Sequence, residues 1–190
     1  GFLRFAGAIL LILLGVLAWL HFAPVAEVQA LEGRVNVGVH ALTPETETVS
    51  VMPERAVETA AGGLAEVAFS SGAAVYLDSL GRLQAGRGGL VQLEDGMLYA
   101  VSPDEASILE VRTRAAVFKL SAARAEISIT EPGTVRARVF RGRVEVQAGP
   151  IERVLRKGET ETFVEDEPET EPLEAEEPWL RRIGEGAGQD

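Results

Sequence analysis

His21 and His40 are the only imidazoles in this 190-residue chain, which has no cysteine. An imidazole suits general acid–base catalysis or metal ligation, but either needs partners at fixed spacing, and none stands beside these two. Ser70-Ser71-Gly72 offers hydroxyls without the Gly-x-Ser-x-Gly context of a nucleophile elbow. Gly86-Arg87-Gly88-Gly89 has the glycines of a phosphate cradle but leads into a strand pattern rather than a helix. Both read as turns. The acidic run after Glu159 lacks the Asp-x-Asp-x-Asp-Gly spacing of a calcium loop and reads as a solvated linker. The chain is therefore expected to be no enzyme, with no cofactor and no metal site.

What remains is chemistry of contact. In Val135-Arg136-Ala137-Arg138-Val139, strand alternation sends Val135, Ala137 and Val139 inward and sets Arg136 and Arg138 together outside. Arg141 and Arg143 flank a turn expected at Gly142, and Arg112, Arg114 and Arg124 are candidates to join them. Such a face suits an acidic partner, anionic lipid or the chain's own tail, against the plainer reading of a solvated arginine-rich sheet. A second candidate contact follows Pro178, where Trp179, Leu180 and Ile183 can share one side of a helical turn around Arg181-Arg182. It suits either docking back on its own domain or binding another subunit.

The net charge is −11, from 18 Lys and Arg against 29 Asp and Glu. Much of the excess lies in residues 165–190, broken by Pro168, Pro172 and Pro178, so this part reads as an acidic Pro/Glu-rich linker that ends in the short amphipathic segment. Upstream the charges nearly balance. No basic excess and no aromatic stacking platform is legible, so no nucleic acid partner is expected, and no aromatic cluster suggests a carbohydrate platform. Without cysteine, the domain must be held by packing alone.

Residues 1–24 carry an uncharged apolar run from Phe5 to Leu20. A helix of about 20 residues crosses the hydrocarbon core, so Leu10, Leu13, Leu14 and Leu17 are expected to anchor it in lipid, with Trp19 at the outer interface. Arg4 before the run and Glu27 and Glu32 after it place the N-terminus in the cytoplasm and the remainder outside, across a bacterial inner membrane. Val28-Gln29-Ala30 keeps a cleaved signal peptide open as the alternative.

Residues 25–164 carry the period of strands. Val35, Val37 and Val39 alternate with polar residues or glycine; Val49-Ser50-Val51, residues 64–69, Val75-Tyr76-Leu77, residues 90–93 and residues 98–101 follow. Further runs lie at 108–111, 117–120, 126–129, 135–140, 144–147 and 161–164, separated by turns such as Gly62-Gly63, Asp95-Gly96, Pro132-Gly133 and Gly158. Short, evenly spaced strands predict an all-β domain, a short β-solenoid or sandwich, preceded by one transmembrane helix.

In that order the pieces resemble the extracytoplasmic FecR domain of iron-transport signalling regulators. Val28-Gln29-Ala30-Leu31-Glu32-Gly33-Arg34-Val35 resembles its opening strand and turn, and Glu58-Thr59-Ala60-Ala61-Gly62-Gly63-Leu64 its threonine and glycine-rich turn. Val91-Gln92-Leu93-Glu94-Asp95-Gly96-Met97-Leu98 resembles the next strand and turn, and Val111-Arg112-Thr113 the start of the one after. Val139-Phe140-Arg141-Gly142-Arg143-Val144-Glu145-Val146 resembles the family's hairpin, and Leu155-Arg156-Lys157-Gly158-Glu159 its closing turn. Two positions depart: the family's Asp-Gly is Ser71-Gly72, and its Gly-Thr is replaced near Ala122-Ala123. The resemblance implies a FecR-like fold. No sigma-binding region or second extracytoplasmic domain is legible, so the leading expectation is a scaffold or accessory subunit that binds integral membrane subunits or envelope proteins. The alternative is a FecR-type signal-relay regulator in a sigma/anti-sigma pathway.

Overall fold

The structure, a computed structural model, describes residues 23–165. Among them no helix is long and apolar enough to cross a membrane. The expected anchor, with Leu10, Leu13, Leu14, Leu17 and Trp19, lies outside the described residues, as do Trp179, Leu180 and Ile183.

The described chain is all-β. Its strands are β1 (Ala26–Glu32), β2 (Val35–Val37), β3 (His40–Leu42), β4 (Val49–Val51), β5 (Ala56–Thr59), β6 (Leu64–Phe69), β7 (Ala74–Leu77) and β8 (Arg82–Ala85). There follow β9 (Leu90–Asp95), β10 (Met97–Val101), β11 (Leu109–Arg112), β12 (Val117–Glu131), β13 (Thr134–Ala148), β14 (Ile151–Arg156) and β15 (Thr160–Val164). Alternation decides which side each residue takes: along β6 and β7, Ala65, Val67, Phe69, Val75 and Leu77 are buried while their neighbours face outward. Val39, expected among the inward residues, is instead 90% exposed, because the chain turns over Gly38 between β2 and β3.

One continuous sheet curls into two leaves. The first runs β3-β2-β5-β8-β9-β11 to the N-terminal half of β12; the second runs from the C-terminal half of β12 through β10-β7-β6-β1-β4. β13 follows β12 along both leaves, then pairs with β14 beside the first and β15 beside the second. Among the described strands only the β9–β11 pairing is parallel. The inward side chains of both leaves form one core, and Phe118 of the first meets Phe163 of the second edge to face at 5.5 Å. At this open side, Arg153 of β14 and Glu161 of β15 make an ion pair of 2.5 Å between the leaf edges.

The leaves require β12 and β13 to bend at the same place. On β12, Ala122 and Ala123 oppose the single Gly142, and Phe140 is then the extra residue on β13, so the two irregularities compensate and the register recovers. Inward residues accordingly switch from Phe118 and Leu120 to Ala123, Ala125 and Ile127 on one strand, and from Val139 to Val144 on the other. The expected hairpin turn at Gly142 is thus a bulge inside one 15-residue strand. The bend is fastened from the side: the Ala122 amide donates to the Asp104 carbonyl at 2.9 Å, and the Ser102 amide to the Ala123 carbonyl at 2.9 Å. Asp104 in turn accepts from the Ser107 and Ala106 amides, and hydrogen bonding by Ser107, through its side chain and then its backbone, holds the Asp104 carboxyl below the usual range, with Ala106 adding less. Ser107 donates its hydroxyl to the Ser71 carbonyl, so the Ser70-Ser71-Gly72 turn is a structural anchor.

On the opposite edge the chain passes between leaves at tight corners. Thr59 is buried there, donating to the Asp78 carbonyl and accepting from the Gly81 amide at 2.8 Å. Gly81 and Gly96 pack so closely that a Cβ on Gly96 would lie 2.6 Å from the Gly81 Cα. Of these, Thr59 and Gly96 stand in the pieces that carried the FecR resemblance.

The bend generates a signed prediction. Ala122 has φ +50°, a left-handed conformation for a residue with a Cβ, so Ala122→Gly should stabilise the fold by about 1 kcal/mol. Gly142 has φ +73°, and a Cβ there would press on the Ala122 carbonyl and lie 3.0 Å from the Ala123 Cα. Gly142→Ala should therefore destabilise by more than about 2 kcal/mol, whereas Gly158→Ala, at φ +89° in open space, should lose only about 1 kcal/mol. Urea unfolding midpoints check all three.

Candidate protein interface

Residues directly opposed in a ladder share a face. Across the second leaf the register gives an outward row of Gln29, Glu66, Tyr76, Tyr99, Glu126, Arg138 and Thr160. The next row is Glu27, Ala68, Ala74, Val101, Arg124 and Arg141. The outer face is therefore apolar in its middle, acidic towards β1 and arginine-rich towards β13.

The aromatic residues meet. Tyr76 and Tyr99 have ring centroids 6.4 Å apart, and Tyr99 and Phe140 are 5.6 Å apart. The extra residue in the β13 bulge is what brings Phe140 to Tyr99. Arg138 lies over the Phe140 ring at 5.0 Å, a cation–π contact. The sequence did not show this cluster. Its members lie far apart in sequence, and the only local signal was that Tyr76 and Tyr99 stand between inward residues.

The arginines divide. Arg136 and Arg138 face outward on the second leaf as alternation predicts, with Arg136 at 3.9 Å from Glu126. Arg141 sits opposite Arg124 across the β12–β13 ladder, and among the described residues neither has an ion-pair partner. Arg143 lies beyond the bulge opposite Ser121 and Arg156, on the first leaf. Arg112 is also on the first leaf, bound to Glu110 at 2.6 Å. The expected group of four thus becomes Arg136, Arg138 and Arg141 joined by Arg124, with Arg143 elsewhere. Like charges directly opposed across a ladder are unfavourable, so the Arg124–Arg141 pair has no rationale in the stability of the leaf.

Tyr76 is the titratable group this face perturbs. Partial burial raises its hydroxyl above the ordinary 10.0, and Glu66, which accepts its hydrogen bond at 3.0 Å, raises it further. His40 is exposed on β3, and among the described residues no group of three or more His, Asp or Glu side chains could hold a metal ion. A depression of about 790 Å³ lies on the first leaf, lined by Glu110, Arg112, Lys119, Glu145, Glu152 and Arg153 among others, with charges of both signs.

No protein-family model matches the chain, and no curated protein matches it. Two crystal structures of a candidate anti-sigma factor from Parabacteroides distasonis ATCC 8503 are similar to it, at 21% and 22% identity and TM-scores of 0.47 and 0.46. Each likeness covers 58% of this chain and 60% of that one, and carries no argument about function.

A raised tyrosine favours the folded state below the unfolded value and loses that contribution as pH climbs through the folded one. Spectroscopic titration should show one tyrosine ionising above 10.0. Glu66→Gln should lower that ionisation, and Tyr76→Phe should remove it.

Proposed function

We propose that the domain is a non-catalytic protein-recognition module, and that the outer face of its second leaf binds an acidic segment of a partner protein. The observation that carries this reading is the Arg124–Arg141 couple, without an ion-pair partner among the described residues, beside the tilted ring contacts of Tyr76, Tyr99 and Phe140. Tyrosine and arginine around an apolar centre are the residues that dominate binding energy at protein interfaces. The order of FecR-like pieces along the strands supports a regulator of the FecR type: a single-pass protein of the bacterial inner membrane whose β domain receives a signal outside the cytoplasm. A second reading, an accessory subunit of a membrane complex, is supported by the Trp179-Leu180 segment beyond the acidic linker, which offers a further contact.

Mild-detergent purification of the tagged protein from its native membranes, with mass spectrometry, tests the proposal. Co-purifying protein should be recovered with the native chain, and the Arg138→Ala/Arg141→Ala variant should weaken its capture about tenfold or more, while Arg112→Ala leaves it unchanged. Equal recovery from all three would contradict the assigned face. A sigma factor or outer receptor among the captured proteins supports the regulator; stoichiometric integral membrane subunits support the accessory subunit.

A further inference from the structure

Resting on that reading, we infer that the chain's own acidic segment, residues 166–177, docks on the arginine side of the same face and competes with the partner for it. Charge sets the match. Between residues 165 and 177 there are eight acidic side chains and no basic one. On the second leaf, Arg124 and Arg141 oppose each other without an ion-pair partner among the described residues, with Arg138 in the next row. The first leaf is a poorer host, because its Arg112 is already bound to Glu110 at 2.6 Å and Arg153 to Glu161 at 2.5 Å.

Position supports the same assignment. β15 ends at Val164 beside Thr134, and the Glu165 amide donates to the Gly133 carbonyl at 2.7 Å, so the chain leaves the sheet at the corner of the second leaf. Thr160 pairs with Arg138, which places the Arg138 row about 13 Å back along the strands at about 3.3 Å per residue. The Arg124–Arg141 row lies a further two to three residues on. Residues 166–177, extended, span about 40 Å and can reach both rows. Docking there neutralises the like-charged couple until a more strongly bound acidic partner displaces the segment.

The 190-residue chain contains no cysteine, so Glu174→Cys gives it a unique site for a nitroxide. In zwitterionic micelles the label should broaden the amide signals of Arg124, Arg138 and Arg141, and high salt or the Arg124→Glu/Arg141→Glu variant should restore them. Broadening confined to residues 160–165 would overturn the inference. Partner capture separates this from the reading beneath it. Glu→Gln changes at 167, 169, 171 and 174 should raise capture severalfold. Unchanged capture by that variant, with loss in Arg138→Ala/Arg141→Ala, removes the competing segment and leaves the recognition face standing. Label contacts that persist while the arginine variants capture normally remove the recognition face instead.

Discussion

Everything in this fold depends on two long strands bending together. A β12 that bent alone would lose its ladder with β13, leaving backbone groups of both strands unpaired. The structure resolves this with an extra residue on each strand, Ala123 or its neighbour on one and Phe140 on the other, so the pairing resumes on both sides of the kink. Because side chains alternate, each extra residue also exchanges the inward and outward sets. A single sheet can then present one apolar face to itself, and β14 and β15 can each extend one leaf.

The same kink organises the surface. It carries Arg143 away to the first leaf, leaves Arg141 opposite Arg124, and turns Phe140 out onto Tyr99. The arrangement of arginines and aromatic rings on this outer face is thus a consequence of how the spine bends. Cross-strand pairing then assembles the remainder, since Tyr76 and Tyr99 meet only because β7 and β10 are neighbours in the second leaf.

Local pattern made much of the all-β fold legible. Val75-Tyr76-Leu77 and Leu90-Val91-Gln92-Leu93 declare both strand and inward side through their alternation, and Asp95-Gly96 declares a turn. The long strands were harder, because Gly142 looks like a turn residue and Ser121-Ala122-Ala123 interrupts the period; a break in alternation reads the same whether the chain reverses or merely bulges. Arg136 and Arg138 were legible from alternation, while Arg124 opposite Arg141 was not, since register across two strands is a long-range property. The aromatic cluster was invisible for the same reason. Thr59 and Gly96 of the corners were legible through their FecR-like order, and the structure supplies the physics: Thr59 bridges Asp78 and Gly81 where the backbones of Gly81 and Gly96 touch.

The claim that one bent spine holds both leaves is tested most directly by native-state hydrogen exchange. The amides of Phe118 and Leu120, in the first leaf, and of Ala125 and Ile127, in the second, should open with the same free energy and the same denaturant dependence, equal to those of global unfolding. If the first pair exchanged through a separate opening of lower free energy, the leaves would be independent units and the shared spine would not be what holds the fold together.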